Sequence, residues 1–338
     1  MSNKEFSISL VVPVYNEQES IESFIEAIDQ ELEPLKERLE IVFINDGSKD
    51  ATREAVEQAI EKDPRITLVN LARNFGKEAA LTAGLHHAKG DAVVPMDVDL
   101  QDPPSLILEF VRLWQTGDYD TVYGIREDRS ADTPMKRVTA GGFYRLFNVL
   151  SNQTQLPENA GDFRLMDRRV VEAIKQLPER NRFMKGLFAW TGYRSVGVPY
   201  ERPARHAGET KFNYWKLWNF ALDGLLSFTS WPLRVWSYVG IGVSFVAFLY
   251  ILKIITKVIF FGIHVPGYAS LMSVVLFLGG IQLISLGIIG EYIGRMFIEI
   301  KQRPIFLVEG VYGQYAKEDK PDEQEIQDQP TSQEKQGS

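Results

Sequence analysis

The sequence predicts an α/β domain, a mostly parallel sheet with flanking helices, followed by an amphipathic interface segment and a two-helix transmembrane hairpin. Three observations predict it. Apolar runs alternate with helical periodicity from residue 7 to residue 125, the pattern of strands crossing over through helices. An acidic turn, stopped by two prolines, follows the fourth apolar run. Two long apolar stretches lie between residues 232 and 300, the second without a charged residue from Tyr268 to Gly290.

Taken in order, the expected strands are Ile8–Val14, Glu40–Asn45, Ile66–Leu71, Ala92–Met96 and Asp120–Tyr123. Each is short, apolar and rich in β-branched residues, as strands buried on both faces are. Helical periodicity fills the gaps at Gln18–Leu35, Ala51–Lys62, Lys77–His87 and Pro104–Thr116. Residues 126–160 are polar and basic and predict a long loop with a helix around Gly142–Leu150. Residues 161–212 read as a small α+β extension of the same domain, which is taken as 1–212.

The composition shifts after residue 212. Residues 213–231 alternate aromatic and aliphatic side chains with Lys216 and Asp223, as expected at a membrane interface. Spans are expected at about 234–261 and 268–297 within a hairpin of 232–300. Lys253 and Lys257 fall near the end of the first and can snorkel. The linker Gly262–Gly267 has no Lys or Arg, whereas Arg234 precedes the hairpin and Arg295, Lys301 and Arg303 follow it. The positive-inside rule then places both termini and the α/β domain in the cytoplasm, on an inner or plasma membrane. Met1 to Phe6 lacks a basic segment followed by an apolar core, so no signal peptide is expected there. Gly279, Gly280, Gly287, Gly290 and Gly294 leave flat helix faces suited to close packing.

Residues 301–338 form a C-terminal segment whose tail is expected to be disordered from about 317. The net charge is −8, and residues 317–338 carry three Lys against seven Asp or Glu, half of that excess. The remainder has no basic stripe interleaved with aromatics, so nucleic acid is not an expected partner. The chain has no cysteine, which excludes disulfides, zinc thiolate sites and a cysteine nucleophile.

The chemistry gathers at strand ends. Asp97-Val98-Asp99-Leu100-Gln101-Asp102 leaves the fourth strand just before Pro103-Pro104. Carboxylates this dense repel unless a cation sits among them, and hard oxygen ligands suit Mg²⁺ or Mn²⁺ holding a diphosphate. The competing reading is a solvated acidic turn with a helix cap. The first strand ends in Val12-Pro13-Val14-Tyr15-Asn16-Glu17, with no G-x-G-x-x-G, so a dinucleotide-binding dehydrogenase is disfavoured. The second ends in Asn45-Asp46-Gly47-Ser48-Lys49-Asp50, where Asp46 can accept hydrogen bonds from a base or ribose. The third ends in Arg73-Asn74-Phe75-Gly76-Lys77, where Gly76 permits close approach and Lys77 opens a helix.

Together these motifs resemble family 2 glycosyltransferases with the GT-A nucleotide-sugar fold. The likeness is closer to polyprenyl-phosphate glycosyltransferases of the bactoprenol glucosyltransferase type, related to dolichyl-phosphate mannose synthases. Gly161-Asp162-Phe163-Arg164-Leu165-Met166, Arg182-Phe183-Met184-Lys185-Gly186, Gly208-Glu209-Thr210-Lys211 and the hairpin extend the resemblance over about residues 6–310. Val98 stands where the family often has Ala.

The resemblance implies inverting transfer of a hexose, with UDP-glucose the favoured donor, onto undecaprenyl or another polyprenyl phosphate. It implies Asp46 at the nucleoside base, with Pro13, Tyr15 and Glu17 lining that pocket and Lys77 near the nucleotide sugar. Asp97 would touch ribose or sugar, Asp99 and Gln101 would hold the divalent metal, and Asp162 would stand near the acceptor; Asp162, Asp97 and Asp99 form the catalytic set. Arg126, Arg129, Arg137 and Lys211 are candidates for donor or acceptor phosphates, against the alternative of a basic loop drawn to anionic lipid. A homo-oligomer is expected, with a tetramer among the states allowed. GDP-mannose or another UDP-sugar as donor, and a non-catalytic nucleotide-sugar sensor, are the rival readings. A processive polysaccharide synthase would carry Q-x-x-R-W and more spans, and neither is present.

Overall fold

The computed structural model describes residues 6–126, 148, 157, 160–201, 231–261 and 267–313. The expected helix near Gly142–Leu150, the interface segment 213–229 and the tail beyond 317 lie, Asn148 apart, outside the described residues.

The α/β unit runs β1 (Ile8–Val14), α1 (Ile21–Glu31), a 3₁₀ turn (Glu33–Arg38), β2 (Leu39–Asn45), α2 (Thr52–Lys62), β3 (Ile66–Leu71), α3 (Lys77–His87), β4 (Ala92–Pro95), α4 (Leu106–Trp114) and β5 (Thr121–Arg126). It continues with β6 (Ala160–Asp167), α5 (Arg168–Lys175), α6 (Met184–Trp190) and β7 (Ser195–Tyr200). Two long helices follow, α7 (Trp231–Phe261) and α8 (Tyr268–Lys301), and then β8 (Val308–Tyr312). The sheet order is β7-β5-β6-β4-β1-β2-β3-β8. β1, β2, β3 and β4 are parallel, as the alternation predicted.

Burial explains the sequence pattern. Every residue of β2, β3 and β4 is buried, because helices cover both faces of the sheet. One core joins α1 and α4 to one face through Phe24, Phe43, Ile107 and Phe110. The other joins α3, α5 and α6 to the opposite face through Val11, Ile44, Leu81, Val171 and Leu187. α3 is rich in Ala because it lies against the sheet: a Cβ on Gly84 would collide with Val11 Cγ1 and stand 2.7 Å from Ile44 Cδ1.

Two elements differ from the sequence expectation. Residues 160–167 are not part of an appended extension: β6 inserts into the main sheet, antiparallel to both β4 and β5. The direction matters, because the start of β6, carrying Asp162, then lies at the edge where the parallel strands end. The second element is β8, which no periodicity announced. It returns after α8 and pairs antiparallel with β3, Leu68 opposite Tyr312 and Asn70 opposite Gly310. Side chains reinforce it: Arg53 Nη2 donates to Tyr312 Oη at 2.8 Å, and Asn70 Nδ2 to Glu309 Oε2 at 2.5 Å.

α7 and α8 are long and apolar enough to cross a membrane, by length and composition, over Val235–Ile254 and Ser270–Lys301. None of the apolar window in either is buried in the chain, and Leu283 and Phe260 are 71% and 75% exposed. A core helix of a soluble domain would bury such side chains, whereas these are exposed in the chain. The end of α8 is fastened to the α/β unit: Glu299 accepts the backbone N–H of Arg180 at 2.9 Å and of Asn181 at 3.1 Å. Arg180 Nη2 also donates to the Gln302 carbonyl at 3.1 Å.

Candidate active site

The site is assembled at the carboxyl edge of the parallel strands, where open α/β sheets bind ligands. Each strand ends in a polar loop, and the loops are stitched to one another. Asn16 takes φ +54°, a left-handed backbone that Asn tolerates better than most residues. Its Oδ1 accepts the Lys49 N–H at 2.8 Å, and its own N–H donates to Ser48 Oγ at 3.0 Å. The Glu17 N–H donates to Thr52 Oγ1 at 2.9 Å. The loops after β2 and β3 touch through Gly47, at φ +66°: a Cβ there would lie 2.5 Å from the Arg73 carbonyl carbon and the Asn74 nitrogen.

Asp46 ties these loops together. It is 4% exposed, and its two carboxylate oxygens accept the N–H of Phe75 at 2.7 Å and of Gly76 at 2.9 Å. Burial pushes its carboxyl above the usual range, against the pull of those two N–H groups. Tyr15, just after β1, has 39% of its surface exposed, while Pro13 is half-buried within β1 and Glu17 accepts from Ser20 Oγ at 3.0 Å.

The centre of the site is Lys77, the first residue of α3. Its Nζ lies 2.6 Å from Asp97 Oδ1, 2.8 Å from Asp97 Oδ2 and 3.4 Å from Asp162 Oδ2. Three separated motifs, on α3, after β4 and at the start of β6, thus converge on one ammonium. Burial alone would lower Lys77, but Asp97 and Asp162 outweigh it and hold the amine well above its usual range. Burial would likewise raise Asp162, but Lys77, Lys185 and Arg164 hold its carboxyl below the usual range. Asp162 Oδ1 is buried with no hydrogen-bond partner among the described residues. Arg164 is 5% exposed, donates to the Gly161 carbonyl at 2.8 Å and stacks over Phe188 at 4.1 Å.

Asp99 and Gln101 lie on the loop after β4. Leu100 between them has φ +54°, a conformation disfavoured for a branched aliphatic residue. It turns the chain so that the Gln101 N–H comes 3.2 Å from Asp99 Oδ1. One carboxylate and one buried amide side chain on a single turn are a hard-oxygen donor set, and they fit Mg²⁺ or Mn²⁺ with positions left for phosphate and water. Among the described residues no group of three His, Cys, Asp or Glu could hold a metal unaided.

Arg126 has internal partners. Its Nε donates to Tyr200 Oη at 3.1 Å, and its Nη2 is 3.5 Å from Asp102 Oδ1, to which Tyr200 also donates. Burial and the neighbouring Asp102 push the Tyr200 hydroxyl up to about 12, so it stays a donor. This triad braces the end of the acidic turn against β5 and β7, a different task from the phosphate contact expected of Arg126. Arg129, Arg137 and Lys211 lie outside the described residues.

Sequence reasoning missed Glu78. Its carboxylate accepts the Met184 N–H at 3.1 Å, and burial together with the nearby Asp162 pushes it up to about 7. The only signal was its position beside Lys77. A carboxyl whose folded pKa is raised favours folding below its ordinary value of 4.5 and loses that contribution as pH rises towards 7. Glu78→Gln, which keeps the acceptor oxygen, should therefore melt higher than the parent at pH 8 and lose that advantage at pH 4.5. Parallel melting curves with the same pH dependence would refute it.

Polar loops at the ends of the parallel strands, with one lysine between two carboxylates, thus gather at a single edge of the sheet. Residues 9–175 match the glycosyl transferase family 2 model, and residues 231–296 match that of the GtrB C-terminal hairpin. The chain belongs to glycosyl transferase family 2 and is a glycosyltransferase. It is 53% identical over 305 residues to a prophage bactoprenol glucosyl transferase homolog of Escherichia coli K12, covering 90% of this chain and 99% of that one. It is 52% identical over 306 residues to an uncharacterized glycosyltransferase of Synechocystis, covering 90% and 96%. The bactoprenol glucosyl transferase of Shigella phage SfII is 52% identical over 303 residues, covering 89% and 97%. Among solved structures, a mannosyltransferase from Pyrobaculum calidifontis with GDP-Man and Mn²⁺ superposes with a TM-score of 0.42 at 23% identity, over 58% of this chain and 56% of that one, too distant to bear on substrate.

Proposed function

We propose that this glycosyltransferase moves a hexose, with glucose from UDP-glucose favoured, onto undecaprenyl or another polyprenyl phosphate at the cytoplasmic face of a membrane. The observation that carries the reading is the fastening of apolar α8 to residues 180 and 181, just before the helix that shares a core with β6, the strand of Asp162. A site bonded directly to a membrane helix suits an acceptor that cannot leave the bilayer. The names of the bactoprenol glucosyl transferase relatives support the same acceptor and sugar. The pairing of β8 with β3 supports a cytoplasmic C-terminal segment, since the chain that follows α8 then returns to the α/β unit. A homo-oligomer, up to a tetramer, accords with the glycine face of α8, where a Cβ on Gly280, Gly287 or Gly294 would meet nothing within 4 Å.

In this reading a phosphate oxygen attacks the anomeric carbon, a new C–O bond forms, and the bond to the nucleoside diphosphate breaks with inversion. A phosphate monoester has a second pKa of about 6, so near neutrality the nucleophile already carries its charge. The protein must instead orient two anionic partners and offset their repulsion. Lys77 places a permanent positive charge between Asp97 and Asp162, while the Asp46 loops shape the nucleotide pocket. A divalent cation at Asp99 and Gln101 would neutralise the leaving diphosphate.

Incubating membranes with a panel of radiolabelled nucleotide sugars and undecaprenyl phosphate tests this. Lipid-linked glucose from UDP-glucose is the expected product, lost with EDTA and restored by Mg²⁺ or Mn²⁺. Absence of any lipid-linked product overturns the acceptor, transfer from GDP-mannose alone overturns the donor, and full activity in excess EDTA overturns the metal.

A further inference from the structure

We propose that Glu309 is a positioning residue for the donor nucleotide, acting through Asn70 and Asn45 on the loop after β2. The proposal rests on the reading of that loop as part of the nucleotide pocket and deepens it: the strand that follows the membrane hairpin sets the shape of the donor site.

The three side chains form a continuous relay. The Ser48 N–H donates to Asn45 Oδ1 at 3.1 Å. Asn45 Nδ2 donates to Asn70 Oδ1 at 2.6 Å, and Asn70 Nδ2 donates to Glu309 Oε2 at 2.5 Å. Asn45 and Asn70 stand opposite one another in the parallel register of β2 and β3, and both are buried. Two amides inside a packed sheet cost stability unless each finds a partner. The third member reaches them through a bulge. The register of β3 and β8 shifts between Asn70 and Leu71, with Gly310 facing Asn70 and Val308 facing Leu71. Glu309 is the extra residue, and a bulge re-aims the side chain it carries. Its Oε1 lies 3.8 Å from Arg53 Nη1, which leaves Oε2 for Asn70.

The relay has a direction, and its two ends fix it. A backbone N–H only donates, and a carboxylate only accepts. Ser48 therefore turns the oxygen of Asn45 towards itself and the Nδ2 of Asn45 towards Asn70. Glu309 turns the Nδ2 of Asn70 towards itself and leaves the Asn70 oxygen for Asn45. Each amide is held in one orientation, set from opposite sides. The end at Ser48 is the pocket side. Ser48 Oγ accepts the Asn16 N–H at 3.0 Å, and the Lys49 N–H donates to Asn16 Oδ1 at 2.8 Å, so whatever holds Ser48 also holds the loop after β1. Asp46, which binds the loop after β3, is the residue next to Asn45.

Direction gives a test. Asn45→Asp keeps the size of the side chain and an acceptor for Ser48, but it presents a second acceptor to Asn70. Asn70 then meets acceptor against acceptor at position 45 or, if it turns over, at Glu309. Glu309→Gln removes the conflict, because an amide can either accept from Asn70 or donate to it. Full-length protein in nanodiscs is titrated with UDP by calorimetry and assayed with UDP-glucose and polyprenyl phosphate varied independently. Asn45→Asp should weaken UDP, and raise the KM for UDP-glucose, by about 10- to 100-fold, the effect of one mispaired buried polar group. The KM for the lipid should stay within about twofold. Glu309→Gln alone should bind UDP within about twofold of the parent, and added to Asn45→Asp it should recover most of the loss. Glu57→Gln removes the same charge from α2 without touching the relay, and added to Asn45→Asp it should recover nothing. A double variant with Glu309→Gln that binds UDP no tighter than Asn45→Asp, or equal recovery with Glu57→Gln, overturns the relay. Rescue of the melting temperature without rescue of UDP affinity overturns the positioning role. Should Asn45→Asp not fold alone, a double variant with Glu309→Gln that folds and binds UDP as the parent does supports the relay, and failure of both overturns it. If the parent binds no UDP, or Asp46→Ala binds it as tightly as the parent, the pocket reading itself fails. The melting temperatures of the same variants then decide whether the relay exists.

Discussion

Lys77→Met should lower turnover by about 10²- to 10³-fold, the loss that follows removal of one preorganised electrostatic group in a reaction centre. The ammonium touches both Asp97 and Asp162, at 2.6 and 3.4 Å. Without it the two carboxylates face one another with less compensation, and Asp162 loses the first of the three cations that hold its carboxyl down. Its pKa should rise. The sign of the pH effect follows: a depressed carboxyl stays ionised down to low pH, and a released one takes up a proton as pH falls. The variant should therefore lose activity on the acid side beyond the fall the parent itself shows as the acceptor phosphate is protonated. Lys77→Arg keeps the charge and should recover part of the rate. A pH–rate profile of Lys77→Met within tenfold of the parent, with no added acid-side loss, would falsify the bridging role.

How much of this site could be read from residues alone depends on which interaction carried the signal. β1, β2, β3 and β4 were legible because burial on both faces leaves a continuous apolar run, and their ends were legible because each run stops in a polar loop. Asp99 and Gln101 share one turn because they are two residues apart, a closeness the sequence itself carries. β6 was misassigned for the opposite reason. Its sequence, Ala160–Asp167, alternates Asp162, Arg164 and Asp167 with apolar residues and so resembles a half-exposed strand. It sits instead in mid-sheet, where Lys77 meets Asp162 and the Gly161 carbonyl accepts from Arg164. Those partners are distant in the chain or invisible to periodicity.

β8 shows a different limit. Val308–Tyr312 is five residues with Glu and Gly inside it, too short for periodicity to separate from a loop. What makes it a strand is the free edge of β3, together with Arg53 and Asn70 waiting on that edge. The internal contacts of Arg126 were illegible on the same ground: its partners Tyr200 and Asp102 are 74 and 24 positions away, and only the fold brings them to the guanidinium. The helical hairpin needed no partner to be recognised, since length and composition set it.

Asp162→Asn should reduce turnover while leaving measurable transfer, with the remaining rate following ionisation of the lipid phosphate. Two features argue for orientation over proton removal. The acceptor near neutrality has little proton to give, as its second pKa is about 6. Asp162 is a poor proton acceptor as well, since Lys77, Lys185 and Arg164 outweigh burial and hold its carboxyl below the usual range. A group tuned to act as a general base is pushed the other way, towards the working pH. What Asp162 offers is a fixed negative charge at the start of β6, one oxygen 3.4 Å from Lys77 and the other buried and unpartnered among the described residues. Such a charge can steer an anionic phosphate onto the cations around it and away from the carboxylate itself. Replacing it with an amide removes that repulsion, so acceptor affinity should rise while turnover falls. General base catalysis contributes about 10²- to 10⁴-fold, which sets the scale for comparison. A loss at the top of that range, equal at every pH and with acceptor binding unchanged, would restore Asp162 as the base. A smaller loss, whose pH dependence tracks the phosphate and is accompanied by tighter acceptor binding, assigns it to positioning.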